Sequence, residues 1–97
     1  MEVYNKVQSG ELKGSATALQ LPDIDCRMVC FAALASNVGN VYLGGAAVTV
    51  ADGTTDTTSG LELKPGAMSP WLPITNLNKL YRICNNAGDD LTYIAIG

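Results

Sequence analysis

The nine residues CRMVCFAAL, Cys26 to Leu34, decide how this chain is read. Side chains alternate across a strand, so Cys26, Met28, Cys30, Ala32 and Leu34 fall on one face and Val29, Phe31 and Ala33 on the other. Both faces are apolar, which predicts a strand buried on two sides. One face enters the domain core; the second meets the edge of another sheet or packs on another molecule. A helix competes only over Ala32–Ser36, and one turn of helix former is too short to nucleate. The apolar run from Met28 to Ala35 is also far below the roughly 20 residues that cross a membrane as a helix.

The same pattern of short strands between strong turns extends outward from this segment. Strand-like stretches are Ser15–Leu21, Cys26–Leu34, Asn40–Leu43, Ala46–Val50, Leu61–Leu63, Met68–Leu72, Leu77–Asn85 and Leu91–Ile96. Between them stand Asn37-Val-Gly-Asn40, Gly44-Gly45, Asp52-Gly53, Lys64-Pro-Gly66 and Asn86-Ala-Gly-Asp89, which supply the positive or fixed φ that turns need. Pro22, Pro65, Pro70 and Pro73 interrupt every window long enough for a helix. Pro70 and Pro73 lack an N–H, which marks their segment as an edge or a kinked strand. The expected architecture is all-β: a single small β-sandwich or jelly-roll-like domain of about eight short antiparallel strands over residues 15–97. Residues 1–14, polar and containing Gly10 and Gly14, read as a short N-terminal arm that frays or lies across a neighbour.

Composition narrows the function classes. Only 15% of the 97 residues are charged, against about 25% in an average soluble domain, which leaves more surface for burial against protein. The net charge of −3 and six scattered Lys and Arg argue against nucleic acid, whose binding needs clustered cations. A polar N-terminal MEVYNKVQSG lacks the layout of a secretory signal, so synthesis in a cytoplasm is expected, with no membrane partner. A domain this small gains stability from partners or copies of itself, so a homo-oligomer, trimer or alternatively dimer, is expected.

No catalytic, cofactor or metal site is expected. The chain has no His, so a Ser-based triad fails at its base, and the carboxylate pairs Asp23/Asp25 and Asp89/Asp90 sit in turn sequences that favour local hydrogen bonds. Cys26, Cys30 and Cys84 contain no CxxC and read as buried small hydrophobes. On one strand, Cys26 and Cys30 lie about 13 Å apart, which leaves open only a pairing with Cys84. The Thr- and Asp-rich loop 51–60 lacks the spacing and closing Glu of a calcium loop and reads as an exposed contact loop. Trp71 with the tyrosines offers a sugar platform, but one Trp favours the core or a subunit seam.

Four signatures follow one another in order: GNVYLGG at Gly39–Gly45, LELKPG at Leu61–Gly66, NLNKLY at Asn76–Tyr81 and AGDDLTY at Ala87–Tyr93, with GSATALQLP at residues 14–22 opening the domain. In this order they resemble a β module of phage virion accessory proteins, the cement or decoration proteins, over residues 15–97. The resemblance implies a structural protein located in the virion, assembled in the host cytoplasm, that binds the major capsid protein and braces the bacteriophage shell. Some relatives sit in tails or head fibres, where host carbohydrate is the alternative ligand. Partner contacts are expected at Val3, Tyr4 and Val7 in the arm, at Asp52, Thr54, Thr55 and Asp56 in the loop, and at Trp71.

Overall fold

Two strands of six residues, Met28–Ala33 (β3) and Leu91–Ile96 (β7), organise one half of the molecule in a computed structural model that describes residues 6–54 and 57–97. They pair antiparallel from Met28↔Ile96 to Ala33↔Leu91. Val29, Phe31 and Ala33 from β3, and Leu91, Tyr93 and Ala95 from β7, share one face and are all buried. On the other side of β7 runs Val7–Leu12 (β1), paired from Val7↔Ile96 to Leu12↔Leu91, giving a three-stranded sheet of order β1-β7-β3.

The second antiparallel sheet has four shorter strands: Leu19–Gln20 (β2), Val41–Gly44 (β4), Leu61–Leu63 (β5) and Tyr81–Cys84 (β6), in the order β2-β6-β4-β5. Its Val41, Leu43, Leu63 and Cys84 meet the inner face of the first sheet in one core. Leu77 joins them from a single 3-10 turn, Leu77–Lys79, whose N-cap Asn76 accepts from the N–H of Asn78 at 2.9 Å and of Ile24 at 3.1 Å. The domain is thus all-β, two antiparallel sheets packed face to face.

Several expected elements differ. The described part of the 1–14 arm is not an arm: residues 7–12 are a strand of the first sheet, because alternation hides behind short and polar residues in VQSGEL and β7 supplies the pairing. Val3 and Tyr4 lie outside the described residues. Of the expected strand over 15–21 only Leu19–Gln20 pairs, and Ala46–Val50 is a loop tied by Val48 N to Gly45 O at 3.0 Å and Thr49 N to Thr58 O at 3.3 Å. The 77–85 segment divides into the 3-10 turn and β6. Met68–Leu72 makes only isolated bridges, to Ala32 and Val29. Gly66, after Pro65, has φ +83°, the left-handed conformation its turn required.

The connections are held by side chains that sequence distance hides. Asp89, 2% exposed, accepts from Val38 N at 2.9 Å and Gly39 N at 2.8 Å, so the β6–β7 turn clasps the β3–β4 turn. These donors hold its carboxyl below the ordinary Asp value, against the opposing effect of burial. Next to it, Gly14 N donates to Asp90 Oδ1 at 3.0 Å, and a Cβ on Gly14 would overlap the main-chain oxygen of Asp89. Arg82, also buried, donates to the carbonyls of Lys13 at 2.9 Å and Gln20 at 3.3 Å, tying the β1–β2 connection to β6.

Candidate functional site

Residues directly opposite in an antiparallel pair share a face. With Val29, Phe31 and Ala33 turned inward, the outer face of the three-stranded sheet carries Met28, Cys30 and Ala32 from β3. Their partners Ile96, Ile94 and Thr92 lie beside them on β7, followed by Val7, Ser9 and Glu11 on β1. One row is therefore Val7, Ile96 and Met28; the next is Ser9, Ile94 and Cys30. Val7 and Ile94 are exposed.

The segment beyond β3 completes this face. Val29 and Leu72 exchange main-chain bonds of 3.0 and 2.8 Å, but a regular ladder would next pair Phe31 with Pro70, which has no N–H. Ser69 takes over: its N–H donates to Phe31 O at 2.7 Å, and its hydroxyl accepts from Phe31 N at 2.8 Å and donates to Pro70 O at 2.8 Å. Two residues thus oppose one, a β-bulge, and the register beyond it resumes one position shifted, at Ala32↔Met68. Met68 shares the outward face of Ala32. Leu72 packs on the core, so alternation turns Trp71 outward, opposite Cys30 in the register of Val29↔Leu72. Trp71 is 48% and Met68 70% exposed.

Trp71 therefore does not fill the core, because Leu72, bonded to Val29, turns inward and leaves its neighbour on the surface. Of the expected contact residues, Val7 and Trp71 belong to this one face. Asp52 and Thr54 lie in the connection between β4 and β5, where Asp52 accepts from Thr54 N at 2.9 Å and Thr54 Oγ1 at 2.6 Å. That local turn lowers the Asp52 carboxyl pKa and stands apart from the face. Thr55 and Asp56 lie outside the described residues. Sequence reasoning did not single out Met28, Ile94, Ile96 or Met68; the first three had a signal in the second apolar face of CRMVCFAAL and LTYIAI, which needed the pairing register, and Met68 had none before the bulge set it opposite Ala32.

The polar groups elsewhere are occupied structurally. Asp23 and Asp25 both accept from Asn76 Nδ2, at 2.7 and 3.0 Å. All three cysteines are buried and free, and burial first of all raises the thiol pKa of Cys26 and Cys84, which disfavours thiolate chemistry. Among the described residues no three His, Cys, Asp or Glu come together as a metal site. An open depression lined by Lys6, Asp25, Cys26, Arg27 and Gly97 flanks one end of the face. At the other end the neighbouring Asp90 carboxyl raises the pKa of Glu11.

No helix of the described residues is long and apolar enough to cross a membrane. No family model matches the chain, and no curated protein or solved structure is significantly similar to it.

Proposed function

We propose that this chain is a structural virion protein, a cement or decoration protein, that binds the major capsid protein of an assembled phage shell and stabilises it without catalysis. The observation that carries the reading is the outer face of the three-stranded sheet. The exposed large hydrophobics among the described residues are Val7, Leu19, Val38, Met68, Trp71 and Ile94, and four of these share that face. Apolar side chains gathered on one flat side mark a protein-contact surface far more strongly than the same residues scattered. Low charge supports an apolar contact, and many copies on one shell multiply a weak single contact through avidity. The order of turn signatures from Gly39 to Tyr93 supports the virion assignment.

The test is to add purified protein to phage capsids that lack it. Binding should raise the melting temperature of the shell, and Met68→Glu with Trp71→Ala should weaken binding by about tenfold or more, as loss of central apolar anchors does. Capsids that neither bind the protein nor gain thermal stability overturn the reading. Half-exposed Trp71 favours one second reading, a tail or head-fibre module that stacks on host carbohydrate. Retention on immobilised host glycans, lost in Trp71→Ala while the shell is ignored, would select it.

A further inference from the structure

The two sheets have four edges, and three are poor templates for another strand. β2 has two residues and β5 three. Beyond β3 runs the bulged segment with Pro70 and Pro73. β1 is different: it is six residues long, contains no proline, and keeps an unbroken register with β7. The reciprocal bonds between Lys6 and Gly97, both 2.8 Å, set its phase. Main-chain groups of Lys6, Gln8, Gly10 and Leu12 turn towards β7, so those of Val7, Ser9 and Glu11 turn away from it. Among the described residues no strand pairs with that side. Long regular edges of this kind are usually blunted unless they are used.

We propose that this edge pairs with the same edge of a second copy, antiparallel and two-fold symmetric about Ser9, so that two three-stranded sheets become one. The sequence of β1 favours a copy of itself as occupant. A two-fold axis at Ser9 sets Ser9 opposite Ser9 of the second copy and Val7 opposite Glu11 of the second copy. All three outward-turned residues then gain main-chain bonds at once. No like charges stand opposite one another in this register, because Glu11 faces Val7 and Lys6 faces Leu12. Opposed residues share a face, so Val7, Ile94 and Ile96 of both copies emerge on one side and the apolar surface doubles in width. The pairing stands independently of any virion role.

Sedimentation of the full chain should give twice the chain mass at tens of micromolar. Under a mild oxidant, Ser9→Cys should cross-link two chains, because hydrogen-bonded partners have Cα atoms about 5.5 Å apart, within disulfide reach. Gln8→Cys, opposite Gly10, should cross-link at least about tenfold more slowly. Ser9→Pro removes only an outward N–H, and Ser9→Lys sets like charges face to face without touching the backbone; each should give a folded monomer with an unchanged far-ultraviolet spectrum. A monomeric native chain, a trimer, equal cross-linking at both positions, or a dimer that survives both Ser9 substitutions overturns the pairing. A dimer that ignores capsids leaves the pairing standing and removes the cement reading.

Discussion

The two sheets solve the same inner problem and differ on their outer sides. Each contributes alternate apolar residues to one core, Phe31 and Leu91 from the first, Val41 and Leu63 from the second. Outside the four-stranded sheet, Tyr42 is only 2% exposed and its hydroxyl donates to Glu62 Oε2 at 3.2 Å, while Asn40 Nδ2 donates to the same oxygen at 3.3 Å. Val48, buried in the loop after β4, packs on the same side against Gly44. Outside the three-stranded sheet, the corresponding positions are Val7, Ile94, Ile96 and Met28, with Met68 and Trp71 alongside, and much of this apolar area meets solvent. Such a surface carries an aggregation risk in a small domain, and the asymmetry gathers most of the exposed apolar area on one sheet.

The largest break in this contrast comes where the sheets are joined. Gly14→Ala forces a methyl into the Asp89 carbonyl, backbone against backbone, and should cost roughly 3–5 kcal/mol, enough to unfold much of the population in a denaturant titration. Next, Ser69→Ala removes the hydroxyl that accepts from the buried Phe31 N–H, for a loss of about 1–3 kcal/mol. It should also shift Trp71 fluorescence, which a generic destabilisation below its midpoint would leave alone.

Asp89→Asn should cost about 1–2 kcal/mol at neutral pH, because two main-chain donors lose a charged acceptor. Its pH dependence has a fixed sign. A carboxyl whose folded pKa is depressed contributes fully above its unfolded value, near 3.8, and loses that contribution as pH falls through the lower folded value. Thermal melts should therefore show the native chain losing stability in that acid window more steeply than Asp89→Asn. Glu11 runs the other way: its raised pKa favours the fold below the ordinary Glu value of 4.5, and that contribution fades as pH rises through the folded value. The smallest effect lies on the covered outer side, where Tyr42→Phe should cost about 0.5–1.5 kcal/mol in chemical denaturation and leave partner binding unchanged.

Strands with strong alternation were legible at once. Leu61–Leu63 and Leu91–Ile96 have the bounds their sequences predict, and Cys26–Leu34 shrinks only at its ends. β1 was illegible because Gln8, Ser9 and Gly10 carry no apolar signal; its residence in the sheet rests on β7 offering a free edge. The turn glycines were half legible: Gly53 and Gly66 adopt positive φ, whereas a Cβ at Gly39 would press on Asn85, a crowding no local pattern encodes. Of the expected contact residues, Val7 and Trp71 fall on one face, for reasons that lay in the pairing of Val7 with Ile96 and of Val29 with Leu72.

The sequence by itself determined the all-β class, the two-faced apolar strands and the scarcity of titratable groups suited to chemistry, because alternation, turn residues and composition are local properties. Only the tertiary structure decided which apolar face is core and which is surface. It also decided that residues 7–12 form an edge strand and that Trp71 looks outward. Each of these depends on which strand lies opposite, and in this chain the partners of β1 and β3 come from the far end of the sequence.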